Sequence, residues 1–187
     1  MTAQQLAFSL SEEKRGVHLL LWSNQGELIR ALLVLSASLG ETSLAGHLLS
    51  TNADAEVFRS EVSKRLSGED SPIATTPLWL VFLQQASAKT IGPWLNGWRR
   101  PLSEPPGTLL IVRSADQLEF QKTTPDLASY VGPRIHDADA MLSMVSQELV
   151  SKMGAKLSPQ LAAILAKLPG TPPTQEEIEQ WVQSLTN

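Results

Sequence analysis

Val17-His18-Leu19-Leu20-Leu21-Trp22 is a short, uninterrupted apolar run, and Ser23-Asn24 follows it with a turn. A strand covered on both faces loses the alternation of apolar and polar residues, so this run predicts a buried strand of a parallel sheet. Beyond the turn, Leu28, Ala31, Leu32 and Leu35 recur at helical spacing until Gly40. They predict a helix over about 25–39, with Ser23 or Asn24 as its cap. Strand, tight turn and helix together form the opening unit of an α/β fold.

The same alternation continues outward. Residues 44–50 read as a second strand despite Gly46, and Asp54 reads as the cap of a polar helix through Val57, Phe58, Val62 and Leu66 that ends at Gly68. A loop over 69–76 leads to Pro77-Leu78-Trp79-Leu80-Val81-Phe82-Leu83, whose aromatic and branched residues suit a strand. A helix is expected over 91–100, ended by Pro101, Pro105 and Pro106, and a fourth strand over 107–113. Short helices at 115–121 and 126–131 flank Pro125, and Ile135 marks a brief edge strand. Met141, Leu142, Val145, Leu149 and Val150 predict one helix over 138–153, closed by Gly154. Two tail helices follow at 159–168 and 176–185, the second opened by a Thr174/Glu177 capping-box pattern. Leu6, Ala7 and Leu10 give residues 2–14 the spacing of an amphipathic helix or arm. The expected architecture is a three-layer α/β sandwich with a mainly parallel sheet. It is organised as an N-terminal arm (1–16), the α/β domain (17–154) and a C-terminal helical extension (155–187).

Composition narrows the function classes. A chain of 187 residues with 42% hydrophobic content can bury a core without staples. Its formal net charge of -4 has the wrong sign for a nucleic-acid binder. With no cysteine, a disulfide framework, thiolate zinc and a cysteine nucleophile are excluded. The opening residues lack the basic and long apolar segments of a signal peptide, and the apolar runs fall short of the roughly 20 residues that cross a bilayer. A cytoplasmic location is expected. Charged residues make up only 18%, below the usual quarter, which leaves uncharged surface for a protein partner.

Ligands of open α/β sheets bind beyond the carboxyl ends of the strands. After the first strand the chain reads Trp22-Ser23-Asn24-Gln25-Gly26-Glu27, with one glycine and no lysine. A phosphate loop needs several glycines, so that backbone N–H groups close on the oxygens, and a cation to neutralise them; Glu27 would repel phosphate instead. After Leu83 stand Gln84-Gln85, where a metal-assisted hydrolase needs acidic residues. His18, His47 and His136 are far apart in sequence with no i, i+4 pair, and no G-x-S-x-G elbow occurs. No catalytic residue, metal or cofactor is therefore expected. His18, within a buried strand, reads as a satisfied core histidine.

Trp94, Asn96, Trp98, Arg99 and Arg100 form the most unusual cluster. Spacing of four packs at least one tryptophan on the sheet, while tryptophan beside arginine is also the composition of an interface hot spot. Trp181 reads either as an anchor of the last helix or as part of a partner-binding helix.

The run Trp94-Leu95-Asn96-Gly97-Trp98-Arg99-Arg100-Pro101-Leu102, then residues 107–113, Phe120 and Thr124-Pro125-Asp126-Leu127, resembles bacterial STAND-type NTPase domains. Residues 18–22 and the helix around Leu28-Ile29-Arg30 lie where the first strand and helix of such domains would be, and the similarity spans 17–150. The phosphate loop and the acidic strand end are missing, so the resemblance is to an inactive version of the fold. It implies a sensor or adaptor role beside an effector in bacterial conflict and antiphage signalling, and it singles out Asp126. Three functions follow as expectations. The first is a non-catalytic adaptor binding a protein partner. The second is a ligand sensor with Arg113 and Asn96 facing a crevice free of a phosphate loop. The third is an enzyme, for which only scattered Asp, Glu and His residues speak.

Overall fold

A computed structural model describes residues 5–6, 9–10, 16–40, 44–67, 78–104, 107–142 and 145–186, with backbone alone at 65 and 85–90. Five parallel strands form one sheet: β1 (Val17–Trp22), β2 (Leu44–Leu49), β3 (Leu78–Leu83), β4 (Thr108–Arg113) and β5 (Ile135–Asp137), in the order β2-β3-β4-β1-β5. Helices cover both faces, so the chain is a three-layer α/β sandwich.

The strand order decides which helix covers which face. From β1 the chain jumps to the far edge, β2, and then returns through β3 and β4 towards β1 and β5. Parallel crossovers are right-handed, so the first connection must lie on one face and the returning ones on the other. Helix α1 (Gln25–Leu39) therefore packs on Leu20, Trp22, Leu80, Phe82, Leu109 and Ile111. The opposite face, with Leu19, Leu21, Val81, Leu110 and Val112, is covered by α2 (Asn52–Ser67), α3 (Gln85–Gly97), α4 (Arg99–Ser103), α5 (Gln117–Thr123) and α6 (Pro125–Val131). The sheet sits between two apolar layers, which is why β1 and β3 are buried at every position.

The rest of the chain thickens the α1 side. Helices α7 (Ala138–Met141), α8 (Gln147–Lys152) and α9 (Pro159–Leu165) add Met141, Leu149, Leu161, Ile164 and Leu165 to that core, and helical Leu6 and Leu10 join it. The final helix, α10 (Gln175–Ser184), rests Ile178, Trp181 and Val182 against the same layer. The Gln160 side chain pairs with the backbone of β2 at the sheet edge. Its Nε2 donates to the Gly46 carbonyl (3.1 Å) and its Oε1 accepts from the Gly46 N–H (3.3 Å). Gly46 is what lets α9 come so close. A Cβ there would lie 2.7 Å from Ile164 Cδ1 and 2.8 Å from Leu161 Cδ2.

Several elements depart from the sequence reading for local reasons. Helix α2 starts at Asn52, and Asp54 lies within its first turn. Thr51 Oγ1 accepts from the Asp54 N–H (3.2 Å), while the Asp54 carboxylate takes the Thr51 N–H (2.8 Å) and the Ser50 N–H (3.1 Å). Asp54 is thus the returning half of a reciprocal cap. Among the described residues of that helix Phe58 and Val62 are buried, while Val57 and Leu66 face outward. Helix α3 begins six residues before Ile91. Pro101 lies inside α4 rather than ending a helix, because the first helical turn has no use for its missing N–H. Two short helices, Ala138–Met141 and Gln147–Lys152 with Ser146 capping the second, stand in place of one helix closed by Gly154. The expected helix end at Gly68 lies outside the described residues.

Candidate functional site

Strands β1 and β4 are neighbours, yet the chain leaves them towards opposite faces. That is the switch point at which open α/β sheets leave a crevice. Its depth is set where Trp22 ends β1 and Arg113 ends β4, with the Ser23 hydroxyl donating to Ser114 Oγ across the gap (3.3 Å). The crevice holds about 370 Å³ between Trp22, Gln84, Arg113, Asp116, Lys167 and Pro169.

The N-terminus of α1, which in a phosphate-binding protein would present free N–H groups here, is already engaged. Asn24 Oδ1 accepts from the Glu27 N–H (2.9 Å), and the Glu27 carboxylate accepts from the N–H groups of Asn24 and Ser23 (3.4 Å each). The Asn24 amide also donates to Glu27. Two of the donors an anion would need are thus held by a resident carboxylate, whose charge already answers the positive end of the helix dipole. Next to them the chain's own tail closes in. The buried Gln25 donates its Nε2 to the carbonyls of Leu168 (2.9 Å), Pro169 (3.3 Å) and Gly170 (3.4 Å), while Gln84 Nε2 donates to Lys167 O (3.0 Å). A turn lined with carbonyl oxygens therefore lies where polyphosphate would sit.

The residues singled out in the sequence separate into three places. Arg113 lines the crevice, its guanidinium 6.0 Å from the centre of the Trp22 ring. Asn96 does not face the crevice. It reaches across to α6, where its Oδ1 accepts from the N–H groups of Asp126 (2.8 Å) and Leu127 (2.9 Å) and its Nδ2 donates to the Asp126 carboxylate (2.9 Å). Thr124, the local cap position, turns its hydroxyl back to Phe120 O (2.6 Å), so Asn96 caps α6 from another helix. Asn96 and Asp126 are brought together by this cap, 30 residues apart in sequence.

Trp94 and Trp98 stack at 4.9 Å with planes 29° apart, half-buried at the rim of the core. Phe58 meets Trp94 edge-on at 6.3 Å, and the Arg59 guanidinium lies 5.7 Å over Trp98. Arg99 and Arg100 stand exposed next to them. Trp181 is half-buried with the Arg30 guanidinium 5.8 Å from its ring, which makes it the anchor of α10 on the domain.

The histidines are not all isolated. His18 on β1 and His136 on β5, 118 residues apart, meet in the sheet with Nδ1 of the first 3.1 Å from Nε2 of the second. Both are buried, and burial lowers each to about 4 from 6.5; the Arg134 cation acts further on His18, and His18 on His136. Among the described residues His18 Nε2 has no hydrogen-bond partner, so there His18 is only half satisfied. The strand pairing of β1 with β5 creates this pair, and no sequence spacing signals it. Among the described residues no group of three His, Asp or Glu side chains is placed to hold a metal, and no helix is long and apolar enough to cross a membrane.

Comparison of the chain with known protein families, with curated proteins and with solved structures gives no significant match.

Proposed function

We propose that this chain is a non-catalytic interaction domain, an adaptor or regulator that meets a protein partner, such as an effector, in a bacterial signalling or defence system. The observation that carries the reading is the closed α1 N-terminus. Asn24, Glu27 and the 167–170 turn occupy the place where hydrolysis of a nucleotide would require free amides and a cation.

The resemblance to inactive STAND-type domains is supported by the order of elements. The Asn96 and Arg99 segment precedes β4, α5 follows, and Pro125-Asp126 opens α6. The hydrogen bonds from Asn96 to Asp126 and Leu127 also give the two motifs a physical reason to occur together. For the partner surface the strongest composition is the stacked Trp94–Trp98 pair with Arg59 and Arg99. Half-buried aromatic rings beside exposed guanidinium groups supply both apolar area and directed charge.

The test has two arms. Millimolar ATP with Mg²⁺ leaves the melting temperature unchanged, because only a ligand that binds the native state raises it. A rise overturns the reading. Affinity purification from the native cells recovers a protein that Arg99→Glu, folded as well as the parent, fails to retain. Equal retention by Arg99→Glu removes the surface from consideration.

A further inference from the structure

Arg113 is poorly explained by the fold alone. It closes β4 with its guanidinium carbon 6.0 Å from the ring centre of the buried Trp22, and no carboxylate among the described residues stands within ion-pair distance of it. A guanidinium is always charged and carries five N–H donors in a rigid fork. Here that fork borders a crevice of about 370 Å³ at the switch point of the sheet, a size within the range of small-molecule sites.

The lining limits what enters. Arg113 and Lys167 are the basic residues of the lining and Asp116 its acidic one, so the lining residues together carry one net positive charge. Glu27 already occupies the neighbouring helix end. A dianion or polyphosphate would leave charge uncompensated, whereas a monoanion balances the lining. Carboxylate is the planar group that a guanidinium fork matches with two parallel hydrogen bonds. Asp116, on the same lining, offers a carboxylate acceptor to an N–H next to that carboxylate.

We propose that the crevice between the ends of β1, β3 and β4 binds a small organic carboxylate bearing an adjacent N–H donor, the chemistry shared by a free α-amino acid and by a peptide's C-terminal residue. Arg113 takes the carboxylate with Trp22 as its platform, and the Lys167–Pro169 turn forms the outer wall. This site goes beyond the partner-binding role and stands whether or not a protein docks at Trp94 and Trp98.

The experiment is a melting-temperature screen of the full chain with each of the twenty free amino acids and with short peptides at 10 mM. Each peptide is tried both with a free and with an amidated C-terminus, and sodium phosphate serves as the dianion. At ten times Kd, linkage predicts a rise of about 3–5 °C for a chain of this size. The expected result is such a rise with at least one carboxylate, none with amidated peptides or phosphate, and its loss in Arg113→Ala. A response to free amino acids or to free-ended peptides identifies the source. Should Arg113→Ala melt early on its own, Arg113→Lys keeps the charge and stem without the fork and must weaken the same response at least tenfold in Kd. The proposal is overturned by the absence of any rise, by an equal rise with amidated peptides or phosphate, or by an undiminished rise in the Arg113 variants.

Discussion

The buried His18–His136 pair makes stability depend on pH in a window where few other groups titrate. In the folded chain both imidazoles are neutral, one lending a proton to the other across 3.1 Å, and both titrate near 4. In the unfolded chain they return to about 6.5. The unfolded state therefore binds more protons between these values, and stability must rise with pH there. It is fully present above pH 6.5 and is lost as pH falls towards 4. Each histidine gives a slope of up to about 1.4 kcal/mol per pH unit, so acidification from pH 7 to 5 costs about 2 kcal/mol for one and up to about 4 kcal/mol for both. Ordinary carboxylates titrate near 4 and add little above pH 5. Urea unfolding at pH 7, 6 and 5, followed by tryptophan fluorescence, measures the effect directly. The midpoint should fall steadily, and the double variant His18→Leu/His136→Leu should flatten the decline. A midpoint unchanged between pH 7 and 5, or an equal decline in the double variant, refutes the reasoning.

Two further outcomes follow from the packing. Asn96→Ala removes the borrowed cap of α6 and should cost about 1–2 kcal/mol in chemical denaturation; Asn96→Asp, which keeps an acceptor but loses the donor to Asp126, should recover only part of it. Gly46→Val pushes a branched side chain against Leu161 and Ile164 and should lower stability by about 1–3 kcal/mol, with the 159–165 segment exchanging its amide hydrogens faster than in the parent.

The sheet and α1 were legible because their signals are local. An apolar run of six residues, a Ser-Asn turn and the helical spacing of Leu28, Ala31, Leu32 and Leu35 specify β1, the turn and the helix without help from elsewhere. Two local patterns misled. The opening of α3 at Gln85 carries no apolar periodicity, so no apolar signal marks the helix before Ile91. The apolar spacing over 138–153 suits a single helix, but Ser146 caps a new one and divides it. At the site, the turn at Ser23-Asn24 and the start of α1 were legible in the residues after Trp22. What fills the space was not. The bonds from Gln25 to residues 168–170 span more than 140 positions, and the Asn96 cap and the histidine pair also depend on strand order, which no spacing encodes.

The Gln160 amide on Gly46 governs how this molecule can associate. A bare edge strand is a template onto which a foreign strand can zip, and proteins that leave one open risk runaway aggregation. On β2 the template's middle rung is taken by a side chain imitating a peptide group. The opposite edge, β5, is only three residues long. Neither border offers a continuous ladder to an extended peptide, so recognition by strand donation is disfavoured and a visiting protein must grip side chains instead.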